Sequence, residues 1–353
     1  VRALTVVPGV EGSARVDDLP APEVAADQLE IEALAVGICG TDREILGGGY
    51  GQPPEGAERL VLGHEAIGRV VRVPHRNGGG ASEALQPGDL VVPIVRRPDP
   101  VPCGACASGE WDMCENGRFT EHGIRGADGF ARERFPLDPR FAVPVPGALG
   151  QLGVLVEPAS VVAKAWDHIE RIGRRAYWRP QRVLVTGAGP VGLLAALMAR
   201  QRGLETWVLD KVTTGPKGPL VEALGATYVT GAVTDCPPPD VVVECTGFGP
   251  LVLDAVEHCA RSGIVCLAGL SSGSRVLELD ATELNRHLVL ENGVVFGTVN
   301  ANRRHYDAAV DSLVRADQGW LEGLVTRRVP LDRWADAVAS HDEVKVVLEI
   351  GAG

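Results

Sequence analysis

The sequence predicts an α/β protein of two domains, a β-rich one followed by a doubly wound parallel sheet. Three observations carry that expectation. The 353 residues exceed what a single core usually holds. The first stretch, up to residue 157, is crowded with Gly, Pro and short β-branched runs. Beyond it strand-like and helix-like segments alternate, which is the pattern of a parallel sheet with helices on both faces.

In chain order, LEIEALAVGIC (29–39), RVVRV (69–73) and LVVPIV (90–95) read as strands, punctuated by turn signals such as QPGD (86–89). HRNGGGASEALQPGD (75–89) reads as a surface loop. ASVVAKAWDHIERI (159–172) has helical spacing, with Val161, Val162, Ala165, Trp166 and Ile169 mostly on one side. Then follow the strand and turn RVLVTGAG, the helix PVGLLAALMARQRG, the strand ETWVLD and the helix GPLVEALGA. DVVVECTG, PLVLDAVEHCARSG and IVCLAGL continue the alternation as strand, helix and strand. From Thr298 onward HYDAAVDSLVRA and WADAVAS read as helices and KVVLEIG as a closing strand that returns to the first domain. The expected division is 1–157 with 298–353 against 158–297.

Apolar residues make up 45% and charged residues 23%, an ordinary globular balance. The formal net charge of −12 argues against nucleic acid or an anionic membrane as partner. No apolar stretch is long enough to span a bilayer, and VRALTVVPGVEGSARV has no basic region followed by an apolar run, so a cytoplasmic location is expected. Eight cysteines in so long a chain are no disulfide scaffold. Cys103, Cys106 and Cys114 cluster as metal ligands do, whereas Cys236, Cys245, Cys259 and Cys266 sit among apolar residues as small core groups.

Gly187-Ala188-Gly189-Pro190-Val191-Gly192 fits G-x-G-x-x-G, between an apolar strand and an apolar helix. Gly187 serves the tight turn, Gly189 the close approach of a pyrophosphate, and Gly192 helix–sheet packing. Unpaired amides at the helix start, where Pro190 and Val191 stand, face the phosphates, Pro190 itself contributing no N–H. Asp210 ends the next strand. Its carboxylate can accept from both adenosine ribose hydroxyls and repels a 2′-phosphate, which favours NAD over NADP. Lys211 and Lys217 nearby soften that choice, so NADP stays possible. Thr246, in the turn after DVVVE, is a further cofactor-binding candidate.

GICGTDREILGGG (37–49) places Cys39 between glycines with Thr41 and Asp42 just after it. LVLGHEAIGRV (60–70) supplies His64 and Glu65, and VLVEPAS supplies Glu157 in an apolar run. Thiolate, imidazole and carboxylate are all competent zinc ligands. Adjacent residues on an extended chain point opposite ways, so His64 and Glu65 share one ion only if the backbone turns locally.

Taken together, these segments resemble the zinc-dependent medium-chain dehydrogenases, closest to the glucose 1-dehydrogenase (aldose dehydrogenase) branch. The carrying residues are Cys39-Gly40-Thr41-Asp42, Gly63-His64-Glu65, Cys103-x2-Cys106-x7-Cys114 and the Gly187 fingerprint, with FTEHGIRGADGFARE (119–133), Glu157 and GTVNANRRHYDAAV added. The resemblance implies a GroES-like catalytic domain, a Rossmann nucleotide-binding domain and a cleft between them. It implies a catalytic zinc on Cys39, His64 and a carboxylate, with Glu65 binding directly or through water and Glu157 exchanging with it. Zinc acidifies a bound hydroxyl and so promotes hydride departure to the nicotinamide. The resemblance further implies that Thr41 takes the substrate proton and passes its own onward.

The family's lobe zinc has four cysteines, and Pro100 stands where the first would be. Asp99 is the expected replacement, with Glu110 and Asp112 as other candidates. Glu121, with His122 beside it, and Asn300 resemble sugar-contacting positions, and Glu157 is a further substrate contact. The expected reaction is oxidation of an aldose, most simply glucose at C1 to the lactone, with NAD. The alternatives are a polyol or aminocyclitol dehydrogenase, and a zinc- and nucleotide-binding protein without turnover. The resemblance also implies a homodimer or homotetramer.

Overall fold

The computed structural model describes residues 1–74, 85–271, 276–339 and 343–351, so most of the loop expected at 75–89 lies outside the described residues. The chain forms two compact units, Val1–Glu157 with Ala301–Gly353, and Pro158–Asn300.

In the first unit, strand Leu29–Ile38 organises a seven-stranded sheet. One edge of this strand pairs antiparallel with Glu65–Arg72, which places Glu65 opposite Gly37. Its C-terminal half also pairs antiparallel with Lys345–Glu349, which sets Val346 opposite Ile38. Two segments far apart in sequence thus meet at the end of one strand. Leu29, Ile31, Ala33, Ala35 and Val36 are buried at or near zero exposure, so alternation of burial fixes the register.

The region expected to be β-rich also contains a helix, Gly40–Leu46, directly after that strand. Cys39 caps it: its Sγ accepts from Thr41 N at 3.2 Å, and Asp42 Oδ2 accepts from Cys39 N at 2.9 Å. The reciprocal pair satisfies amides that a helix start leaves open. The helix expected from residue 159 begins earlier, at Val156, because Pro158 is tolerated in a first turn. Glu157 therefore belongs to that turn.

The second unit is a six-stranded, all-parallel sheet. Its strand order is Thr227–Val229, Glu205–Leu209, Arg182–Thr186, Val241–Glu244, Ile264–Leu267 and Val294–Gly297. Val183, Leu184, Val185, Val241, Val242 and Val243 are fully buried, as strands covered on both faces require. The order reverses between Arg182–Thr186 and Val241–Glu244, and the crevice outside the carboxyl ends of strands at such a point takes ligands. Among the described residues no helix is long and apolar enough to cross a membrane.

Candidate active site and metal centres

Gly63 has a left-handed backbone (φ 87°) and turns the chain just before strand Glu65–Arg72. That local turn is what adjacent ligands need. Cys39 Sγ lies 3.0 Å from His64 Nε2, and ligand atoms of Cys39, His64 and Glu65 all fall within 4.8 Å of one another. His64 and Glu65 are buried. Asp42, fully buried, places Oδ1 3.4 Å from His64 Nδ1, the ring nitrogen facing away from the thiol. Asp42 caps the helix and faces the imidazole at once.

The electrostatics favour a cation. Burial alone would lower the His64 imidazole, but the Cys39 thiolate and Asp42 carboxylate hold it well above its ordinary range. Burial resists ionisation of Asp42, yet His64 and the Cys39 amide hold its carboxyl below the usual value. Burial raises the Glu157 carboxyl to about 7, with the Glu65 and Asp42 charges adding to the effect and His64 and Lys345 opposing it. Asp42 Oδ1, His64 Nδ1 and Glu65 Oε2 have no well-formed hydrogen bond despite their burial. Soft, borderline and hard donors converging in a buried anionic place fit zinc, with a position left for substrate. A carboxylate behind the ligating histidine is the usual orienting partner.

Lys345 was not legible as part of this place. It is 1% exposed, its Nζ lies against Glu65 Oε2, and it donates to Ile38 O at 3.3 Å. The available signal was a lysine opening the apolar strand KVVLEI.

Cys103, Cys106 and Cys114 also gather their sulfurs within 4.8 Å. Cys103 caps the short helix Gly104–Ala107, and amides of Cys106 and Glu115 pull its thiol down to about 6. Burial pushes Cys106 up to about 11. The Asp99 carboxylate is not brought to this group, although the Asp99 amide reaches Cys106. Its Oδ1 accepts from Val101 N at 2.8 Å, and its Oδ2 from Asn116 Nδ2 at 2.8 Å and Arg118 Nε at 3.0 Å. Glu110 pairs with Arg304 at 3.1 Å, and Asp112 Oδ1 accepts from Asn302 Nδ2 at 2.7 Å. The three sulfurs stand together without any of these carboxylates.

Glu121 is buried on strand Thr120–His122 and pairs with Arg96 at 3.0 Å. His122 donates from Nδ1 to Asp128 O at 2.6 Å and stacks on Phe130. Asn300 has a left-handed backbone (φ 63°) and closes the second unit. Thr41 stands in the first turn of its helix, half-buried.

In the second unit, Gly189 caps helix Pro190–Gln201 with no side chain bonded across its amides. A Cβ on Gly192 would collide with Gly187 O, so the third glycine packs helix against turn. Asp210 Oδ2 accepts from Ala188 N at 2.7 Å and from Lys217 Nζ at 3.0 Å, and its Oδ1 accepts from Val212 N at 2.9 Å. Lys211 is exposed. Thr246 donates its amide to Glu244 Oε1 at 2.7 Å. Glu244, fully buried, also accepts from Thr186 Oγ1 at 3.1 Å and Gly247 N at 3.1 Å. Sequence reading missed Glu244, whose signal was a charge ending an apolar strand. It ties the turn at Thr246 to the strand that carries the glycine fingerprint.

The family model for the glucose dehydrogenase C-terminus matches residues 150–350, and that for the alcohol dehydrogenase GroES-like domain matches 25–147. The chain belongs to the glucose dehydrogenase family. This family member is 37% identical to glucose 1-dehydrogenase of Methanocella arvoryzae over 100% of both chains. It is 40% identical to glucose 1-dehydrogenase 2 of Vulcanisaeta moutnovskia over 99% of each. Haloferax mediterranei glucose dehydrogenase, in complex with NADP, Zn and gluconolactone, superposes with a TM-score of 0.90 at 32% identity, covering 100% of both chains. The family and the GroES-like plus Rossmann fold expected from sequence are both borne out.

Proposed function

We propose that this glucose dehydrogenase family member is a zinc-dependent enzyme that oxidises glucose at C1 to the lactone and reduces NAD, with NADP also accepted. The observation that carries this is the buried convergence of Cys39, His64 and Glu65 in a chain related to glucose 1-dehydrogenases along its whole length. Cys39, His64 and Glu65 would hold the zinc, with Glu157 as the exchanging carboxylate. When bound, the ion supplies Lewis acidity that lowers the pKa of a sugar hydroxyl.

The chain's own residues do the rest. Asp42 fixes the His64 ring through Nδ1, so Nε2 stays directed at the ion. Thr41 takes the substrate proton on its hydroxyl and passes its own onward. Arg96 orients the Glu121 carboxylate, which with Glu157 and Asn300 accepts or donates to sugar hydroxyls. Gly187, Gly189, Pro190, Val191 and Gly192 bind the pyrophosphate, Thr246 lines the same crevice, and Asp210 takes the adenosine ribose. Cys103, Cys106 and Cys114 hold a structural zinc. Strand Val294–Gly297 forms an open sheet edge, flanked in sequence by exposed Val289 and Leu290, which supports a homodimer or homotetramer through the second unit.

A panel of aldoses and polyols against NAD and NADP, followed by absorbance of the reduced nicotinamide, tests the reading. Glucose should be turned over with release of acid after lactone hydrolysis. Preference for a secondary alcohol without acid would point to the polyol alternative, and cofactor binding without any reduction to a non-catalytic protein.

A further inference from the structure

Lys345 is an unusual side chain to bury. An ammonium withdrawn from water costs several kcal/mol unless it is paired well. Its partner is Glu65, and a third residue makes the pairing possible. A Cβ at Gly37 would collide with both Glu65 Oε2 and Lys345 Cε, so only glycine lets carboxylate and ammonium meet there. Strand register delivers all three: Gly37 lies opposite Glu65 on one side and Val347 on the other. The lysine is held from behind by Ile38 O. Glu65 is also one of the three groups whose ligand atoms converge on the metal position. Its carboxylate therefore has two competing claimants, a fixed cation of the protein and the ion.

We infer that Lys345 is a positioning residue that holds Glu65 back from the metal, making it an exchangeable ligand rather than a permanent one. The inference rests on the zinc site proposed above for Cys39, His64 and Glu65. Its consequence runs against the simple expectation for a buried ion pair: removing the lysine tightens the grip on zinc. The freed carboxylate ligates fully, and a positive charge beside a divalent cation disappears.

The test follows zinc release from full-length, zinc-loaded protein to a chromophoric chelator. Cys39→Ser identifies which release phase belongs to this site. Lys345→Met should slow that phase roughly tenfold, as loss of one nearby like charge at intermediate dielectric implies. Lys345→Arg should release zinc at the parental rate. In a Glu65→Gln background Lys345→Met should slow release markedly less, because only the direct charge effect remains. Release from folded Lys345→Met at the parental rate or faster overturns the inference, and so does slowing that is as large in the Glu65→Gln background as in the parent. Should Lys345→Met not fold, the cobalt-substituted protein carries the test. Glu65→Gln should then change the visible d–d spectrum only in part, as loss of a ligand bound part of the time does, and complete conversion to the spectrum of a site with one ligand fewer overturns the inference. If Cys39→Ser retains every release phase, the zinc-site reading itself fails, which is a different result from a failure confined to Lys345.

Discussion

Lys217→Met should move cofactor choice strongly toward NAD. Lys217 Nζ lies 3.0 Å from Asp210 Oδ2, and the two side chains are 19% and 8% exposed. Burial opposes ionisation of Asp210, but the Ala188 and Val212 amides and Lys217 hold its carboxyl below the usual value, so it is anionic at neutral pH. An anionic strand end alone would repel a 2′-phosphate, whereas the paired lysine offsets that charge. Placing the phosphate roughly 5 Å from the ammonium at an effective dielectric of about 20 gives about 3 kcal/mol. Solvent and salt remove about half, leaving ~1.5 kcal/mol, or roughly tenfold. The expected result is a fall of roughly tenfold in kcat/KM for NADP, with kcat/KM for NAD changed less than about threefold. Asp210→Asn should move the ratio the other way. Steady-state kinetics with glucose and each cofactor decide the matter, and a ratio that stays within twofold of its parental value in Lys217→Met would refute the reasoning.

His122 should make the first unit acid-sensitive. Burial, aided by the charges of Arg97 and Arg132, pushes its imidazole down to about 3, against about 6.5 in an unfolded chain. The unfolded state therefore binds the extra proton, and stability present above pH ~6.5 is lost as pH falls, by up to about 1.4 kcal/mol per unit. His122→Asn keeps a donor toward Asp128 O and should flatten that slope in urea unfolding at pH 7, 6 and 5; parallel slopes would count against it. Metal analysis should find two zinc ions per chain and one in Cys106→Ser, and a parental value of one would remove the lobe site. Val295→Lys, on the open sheet edge, should split the oligomer in light scattering, and an unchanged mass would place the interface elsewhere.

The sequence made visible what is local. Cys39, His64 and the Gly187 fingerprint announce themselves because a turn, a cap and a phosphate cradle each need particular residues within a few positions. Even there the chain hid something: the helix after Cys39 is only seven residues long, Gly40–Leu46, and its capping thiol carries no familiar N-cap signature. What stayed hidden is what strand pairing creates. Lys345 reaches Glu65 because both flank strand Leu29–Ile38, and nothing in either segment announces the other. Asp99 was chosen for its distance along the chain from Cys103, but three nearer donors claim its carboxylate first.

The first unit's buried charges form one argument for a resident cation that does not depend on resemblance. Cys39, Asp42, Glu65 and Glu157 are all able to carry negative charge, and all stand within electrostatic reach of His64. Lys345 supplies one fixed positive charge. His64 can supply another only by protonating both ring nitrogens, which removes it as a ligand. The field that holds the imidazole well above its ordinary range marks this place as one that calls for positive charge. His64, holding a divalent ion through Nε2, would meet the same demand and keep Nδ1–H for Asp42. The geometry already favours that arrangement, since the thiol and the carboxylate of Asp42 lie on opposite nitrogens of one ring.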